Sequence, residues 1–535
     1  MNYRILEADG SSLQEAWSIG SLTAKLLAAS SLTEEQIEDL LDGSDAVRPS
    51  RCEAVDACCK RIMRAKADGE KVFVAGDYDA DGICSTAILK DVLDRLGISN
   101  GYYIPDRFKE GYGLSAATVE LAHQKGYHLI ITVDNGVKCQ EAIAKAHACG
   151  MEIIVTDHHE IEEDVPADLL VHPDVMEPEY AFLSGAGVVL QLSLNLLGPL
   201  DAHLALAAIA LIGDVMPLWK QTRRIVKQGC TAIAHGALPA VFPLLRTKGE
   251  VDPTAVAFQI VPKLNSVGRM NDSSNVNTLV PFLLTKDPDY ISGYSVQLNR
   301  VNEARRRCSD QTVRIAERLD HEAAFPILFE ESFEEGIVGL AAGKLSRQWH
   351  KPVLVFARTD NVYKGSGRSI PGLNLFEFFR EFEELSAFGG HAMAVGLSVP
   401  CDRFAAFAEH VQQKITQVPL LEEAGEPAVR VTEEDLKVDQ IMELEGLRPY
   451  PRELITRIAL PAPVLQSVQC YDRVNRYHFE SICGGFDGVQ FTSARTEPHE
   501  TIECLIGTPS VNRFRDRINA QIVIEAFRET GDGTT

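Results

Sequence analysis

The sequence predicts a multidomain α/β chain. It has a parallel-sheet domain, a long linking helix, a second mixed α/β domain and a small C-terminal β-barrel. Three observations predict this. Between residues 72 and 215, short apolar runs alternate with segments of helical periodicity. Residues 287–320 hold no proline after Pro288 and are rich in helix formers. From about 450 to 528 the segments RYHFESICGGF, GVQFTSA and AQIVIEAF are short and rich in β-branched and aromatic residues. A length of 535 residues suits about three or four domains. The boundaries expected are 1–286 for the first domain with an N-terminal extension, 287–320 for the helix, 321–418 for the second domain and 419–535 for the barrel.

In chain order, VFVAG (72–76), HLIITV (128–133) and MEIIVT (151–156) read as buried strands. STAILKDVLDRLG and CQEAIAKAHACG, between them, read as amphipathic helices closed by glycine. The end of LAAIALIG (206–213) is taken as a fourth strand, although periodicity alone does not separate strand from helix there. Strand and helix in alternation imply a parallel sheet wound by right-handed crossovers. An acidic connector, LLEEAGEPAVRVTEEDL, follows the second α/β segment.

The formal net charge of −24 argues against general polyanion binding, so any nucleic acid would need a confined basic groove. Six arginines against three acids in residues 300–318 supply one candidate wall for such a groove; a solvated helix face is the plainer reading. Twelve scattered cysteines without a CxxC suit reduced thiols and a cytoplasmic location. The N-terminus, MNYRILEADGSSLQEAW, has no apolar core of a signal peptide, and LALAAIALIG is too short to span a bilayer, so no membrane is expected.

Acidic and imidazole side chains follow each apolar run. VFVAG leads into Asp77 and Asp79, with Asp81 read as the start of the following helix; HLIITV leads into Asp134; MEIIVT, through Asp157, into His158 and His159; IALIG into Asp214. Loops after parallel strands converge on one sheet edge, where ligands bind. Taken singly, each Asp reads as a helix N-cap. Taken together, with no Lys or Arg interposed, they call for divalent cations. Carboxylates and imidazole without thiolate favour manganese, with magnesium as the lesser alternative. The number of ligands suggests a pair of ions acting on a phosphate ester.

GDYDADG, TVDNG, TDHH and DVMPL, in this order, resemble the four motifs of the DHH phosphoesterase superfamily. IPDRFKEGYGL, FQIVPKLNSVGRMND, KGSGRS and FGGHAMAVGL are similar to the RecJ-type single-strand-specific exonucleases within it, over roughly residues 45–528. SFEEGIVG departs from the pattern, with Phe333-Glu334 where an aromatic-His pair is usual.

The resemblance implies a DHH domain, a DHH-associated substrate-binding domain and an OB-like barrel suited to tracking single strands. It also implies a metal-dependent 5′→3′ exonuclease that releases 5′-mononucleotides from single-stranded DNA in recombination and repair. Asp134 would bridge two divalent cations, Mn²⁺ before Mg²⁺, with Asp79, His158 and Asp214 around one and Asp77 on the other. His159 would join the second ion or contact the scissile phosphate, and Asp157 would orient an imidazole. Gly389, Gly390 and His391 would meet a phosphate, with His391 donating to it. Arg107, Ser366 and Arg368 would hold the 5′-phosphate, Arg269 would sit near the scissile phosphate, and Tyr112 would stack on a base. The partner implied is single-stranded DNA with a 5′ end, with a helicase or single-strand-binding protein as protein partners. Two rivals are a phosphodiesterase for short oligonucleotides or cyclic dinucleotides, and a metal-free single-strand-binding scaffold. The barrel and linker helix speak against the first, the full Asp and His set against the second.

Overall fold

A computed structural model describes residues 3–246, 249–270, 275–319, 321–419, 425–481, 484–492, 502–514 and 517–528. The acidic connector falls partly outside them, at 420–424, as does the end of the SVGRMND motif. The chain divides into two compact units, one of residues 47–216 with 228–423, the other of 1–46, 217–227 and 424–535.

The larger unit holds two sheets. The first is wholly parallel, in the order Asn100–Tyr103, Val72–Ala75, Leu129–Val133, Glu152–Thr156, Leu169–Val171. Its central strands are buried on both faces, as their unbroken apolar runs require. The strand order reverses between Val72–Ala75 and Leu129–Val133, so ligands are expected in the crevice beyond the ends of these two. The second sheet is mixed, in the order Ala387–His391, Ala394–Pro400, Val362–Arg368, Val353–Thr359, Ile327–Phe329. Its core is aromatic, built on Phe325, Phe356, Phe379 and Phe407. The long helix runs Pro288–Ala316, with Asp287 as its N-cap, close to the expected span.

LALAAIALIG is not a strand. It lies in the helix Asp201–Gly213, whose residues 203–211 are all buried. A helix apolar all round carries no amphipathic period, so the sequence pattern does not distinguish it from a buried strand. Asp214 therefore reaches the crevice from a helix C-terminus; the fifth strand is Leu169–Val171.

The smaller unit differs from the expected boundaries. Residues 1–46 do not belong with the parallel sheet: Tyr3–Leu6 pairs parallel with Glu426–Arg430 and forms one edge of an eight-stranded sheet. The C-terminal strands continue that sheet to Val464–Cys470 at the other edge. The described strands thus form a mixed sheet with two edges, around a core that includes Leu22, Leu26, Ile458, Tyr477, Phe479 and Ile522.

Candidate metal centre and arginine pocket

Asp77 follows the Val72–Ala75 strand and is buried. Asp79 does serve as an N-cap, its carboxylate accepting from the backbone of Asp81 (2.9 Å) and Gly82 (3.1 Å) at the start of the Ala80–Leu96 helix. Gly82 is required, because a Cβ there would lie 2.5 Å from the Asp77 carbonyl oxygen. Asn265, in the downstream KLNSVGR motif, accepts from the Ala80 amide at 2.7 Å and fixes the same turn.

Asp134 ends the Leu129–Val133 strand with φ of 62°, a left-handed conformation unusual for a residue with a side chain. The neighbouring Asn135 holds this turn: its side chain donates to the Ala75 (3.0 Å) and Val133 (2.9 Å) carbonyls and accepts from the Leu114 amide. Asp157 accepts from the amides of Val137 and His158 and contacts His159 Nδ1 at 2.8 Å, so it orients the His159 ring. Burial works to raise the Asp157 pKa, but its bond to His159 leads the contacts that hold it below the usual value.

The ligand atoms fall into groups. Asp77, Asp79 and Asp134 form one; Asp81, Asp134, His158 and Asp214 another; Asp134 with His158 and His159 a third. Within each group the candidate atoms lie within 4.8 Å of one another, and Asp134 belongs to all three. His158 Nε2 is 3.2 Å from Asp134 Oδ1 and 3.3 Å from Asp214 Oδ2. Asp79 groups with Asp77, rather than with His158 as expected, and Asp81 stands by His158, 3.5 Å from its Nε2.

The sequence marks Asp81 only as a helix start. In the fold it also accepts from the amides of Gly185 (2.6 Å) and Ala186 (2.7 Å) and from Ser184 Oγ (3.0 Å), fixing the start of the Gly185–Leu197 helix against the cluster. A Cβ on Gly185 would lie 2.5 Å from Asp134 Cβ. No local pattern marks Gly185, because its constraint is a contact across the fold. Asp91, half-buried, and the buried His203 and Ser193 form a hydrogen-bonded chain (2.8 and 2.7 Å) that joins the three helices ending at the cluster.

The residues present suit divalent cations. Asp77 Oδ1, Asp134 Oδ1 and His158 Nε2 are buried and have no hydrogen-bond partner. Burial, then repulsion among the carboxylates, raises Asp77 and Asp134 well above the usual range and Asp79 to about 7. Burial opposes protonation of His158, but the Asp214 and Asp81 carboxylates outweigh it and raise its pKa to about 9. One imidazolium does not balance five carboxylates. The donors are oxygen and imidazole nitrogen, without sulfur.

Beside this centre lies an arginine cluster. Arg368 Nη1 donates to Ser366 Oγ and the Gly367 carbonyl, both at 2.8 Å. The Glu335–Trp349 helix passes over the pair on glycines; a Cβ on Gly339 would lie 3.1 Å from Ser366 Oγ and 3.3 Å from Arg368 Nη2. Arg107 lies over the Tyr78 ring, 5.2 Å from its centroid. Burial, then repulsion from Arg107, lowers the pKa of Arg368, and the same causes lower Arg269 to about 10. Among the described residues none of Arg107, Arg269 and Arg368 forms an ion pair with an acid.

Tyr112 stands at the metal centre, its hydroxyl donating to the Asp134 carbonyl (3.0 Å) and 3.1 Å from His159 Nδ1. The residue is 42% exposed, with its ring in edge contact with Tyr78 and His159. Gly389, Gly390 and His391 lie on the exposed edge strand Ala387–His391, and nothing would meet a Cβ on Gly389. Among the described residues His391 makes no hydrogen bond or ion pair with the cluster. Its charge, after that of Lys138, helps to lower the pKa of Glu162, in the loop after His159.

Residues 71–213 match the DHH family, N-terminal domain, and residues 322–417 the DHHA1 domain. The single-stranded-DNA-specific exonuclease RecJ of Bacillus subtilis is 30% identical over 549 residues, covering 96% of this chain and 69% of that protein. The chain belongs to the RecJ family. A crystal structure of an exonuclease RecJ bound to manganese is 29% identical, with a TM-score of 0.60 over 70% of this chain and 97% of that one. RecJ from Thermus thermophilus in complex with Mn²⁺ is 24% identical, with a TM-score of 0.80 over 99% of this chain and 79% of that one. That likeness establishes the RecJ fold across both units.

Proposed function

We propose that this RecJ-family chain is a divalent-metal-dependent exonuclease that degrades single-stranded DNA from its 5′ end to 5′-mononucleotides. The observation that carries the reading is the set of buried, unpartnered ligand atoms around Asp134 beside an unneutralised arginine pocket. A cation centre and a phosphate centre side by side suit phosphodiester hydrolysis.

Asp77, Asp79 and Asp134 would hold one cation; Asp134, His158 and Asp214, with Asp81, would hold the other. Manganese is favoured and magnesium is the alternative. When bound, such a pair supplies Lewis-acid polarisation of the phosphate and a nucleophile at neutral pH. Asp157 holds the His159 ring, which would either join a cation with Asp134 and His158 or contact the scissile phosphate. Tyr112 fixes the carbonyl of Asp134 and would stack on a base. Arg368, Ser366 and Arg107 grip the terminal 5′-phosphate, and Arg269 neutralises the phosphate to be cut. His391, with Gly389 and Gly390 beside it, approaches the strand from the second sheet.

The role proposed is in recombination and repair in the cytoplasm, with a helicase or single-strand-binding protein presenting the strand. All eleven described cysteines are free, and no described helix is long and apolar enough to cross a membrane. Digestion of end-labelled DNA and RNA strands with manganese or chelator tests the reading. Stepwise release of mononucleotides from the 5′ end of DNA, abolished by chelator, is expected. Binding without cleavage at any metal concentration would instead mark a scaffold, and cleavage confined to the shortest oligonucleotides a small-substrate phosphodiesterase.

A further inference from the structure

The helix Pro288–Ala316 presents a buried stripe that includes Leu298, Val301, Asn302, Ser309 and Thr312. Two polar groups on this side have no partner. Asn302 is 9% exposed and its Oδ1 is unbonded; Arg305, one turn on, has its Nε buried and unbonded. Among the described residues Arg305 forms no ion pair; the nearby Asp310 is taken by Lys344 at 2.7 Å. Arg306 and Arg307 differ, for both are more open to solvent than the buried Nε of Arg305. The three adjacent arginines are therefore not equivalent.

The next turn locates Arg305. Cys308 Sγ donates to Glu334 Oε1 at 3.3 Å, which sets this part of the helix beside the start of Glu335–Trp349. There Gly336 admits the Arg269 carbonyl, 2.0 Å from where its Cβ would be, and Gly339 roofs Ser366 and Arg368. Arg305 thus faces the Arg269 side of the arginine cluster, and its charge is among those that depress the Arg269 pKa. Arg305 is only half-buried, but a guanidinium whose Nε is buried without a partner is costly unless an anion arrives to pair with it.

We propose that Arg305 binds an internal phosphodiester of the single strand and so forms a phosphate contact distinct from the terminal-phosphate grip of Arg368. The inference rests on the nuclease reading above. Planar guanidinium donors suit two phosphate oxygens at once.

The test is fluorescence anisotropy of labelled oligothymidylate on the full-length, metal-free protein over a salt series. Arg305→Met should weaken binding by about tenfold or more, the weight of a charge-assisted contact. It should also lower the slope of log K against log salt by about 0.7. Arg305→Lys should keep most of the slope, and the double variant Arg306→Gln, Arg307→Gln should move affinity less than Arg305→Met alone. Strands ending in 5′-phosphate and 5′-hydroxyl should suffer equally. The melting temperature of Arg305→Met should not fall, since no partner in the protein is orphaned. A wild-type slope in Arg305→Met overturns the proposal, as does a loss seen only with 5′-phosphorylated strands or a larger effect of the double variant. Should Arg305→Met not fold, Arg305→Gln carries the test: a wild-type affinity and slope in that variant would overturn the proposal. Failure of the wild type to bind single strands at all would instead reject the nuclease reading.

Discussion

The carboxylate cluster and the arginine cluster lie in the same unit and carry the same deficit with opposite sign. Around Asp134, burial and mutual repulsion raise the pKa values of Asp77, Asp79 and Asp134. Around Arg368, burial and mutual repulsion lower those of Arg368 and Arg269. The two come together at Tyr78 and Asp79: Arg107 lies over the Tyr78 ring, and Asp79 raises the Arg269 pKa against its other neighbours. The acids could neutralise the arginines directly, yet the described structure pairs none of them. Each cluster is held apart by its own scaffold, glycines and helix starts on one side, the glycine face of Glu335–Trp349 on the other. Charge left unpaired at this cost suits ligands of both signs, cations and phosphates.

The largest effect should come from Asp134→Asn. Several kcal/mol of charge stabilisation depends on the cations, which corresponds to about 10³-fold or more in rate. Nuclease rate under saturating manganese measures it, and a rate within about tenfold of wild type would break the pairing of the two clusters. Next is Gly185→Ala, which forces a methyl against Asp134. Overpacking of this kind costs about 1–3 kcal/mol, expected as weaker manganese binding with a native circular-dichroism spectrum; unchanged metal affinity would show that the helix start does not set the Asp134 position.

The arginine side should respond differently. Arg368→Ala leaves the carboxylates intact and removes a contact worth about 1.5–3 kcal/mol. Preference for 5′-phosphorylated over hydroxyl ends should fall by about tenfold to a hundredfold while manganese stoichiometry holds. An unaltered preference would detach Arg368 from end recognition. The smallest effect on activity belongs to His203→Ala. It leaves the buried Ser193 hydroxyl without its partner, while Asp91 keeps Arg95, so stability should drop by about 1–3 kcal/mol in urea unfolding, with residual activity near wild type. Loss of activity without loss of stability would assign His203 a role in the chemistry.

That last pair also shows what the sequence carries. Ser193, His203 and Asp91 have the geometry of a hydrolase triad, but the Ser and His are buried and all three are hydrogen-bonded, whereas the groups around Asp134 are not. The order of Asp and His after apolar runs was legible because residues at strand ends share one edge by topology. Asp79 was legible twice over, as cap and as ligand candidate. Asp81 and Gly185 were not, because their importance arises where one helix start crosses another. The helix Asp201–Gly213 was misread because it is apolar on every side. The place of residues 1–46 was hidden because Tyr3 pairs with Glu426, a contact without local trace. Arg305 was indistinguishable from Arg306 and Arg307 until burial separated them.

The central claim is that a single carboxylate, Asp134, is shared by two cation groups. Electron paramagnetic resonance during a manganese titration tests it most directly. The account predicts two Mn²⁺ per chain with a spin-coupled spectrum in the wild type, and loss of the coupling in Asp134→Asn. One uncoupled Mn²⁺ per chain in a fully active wild type would contradict it.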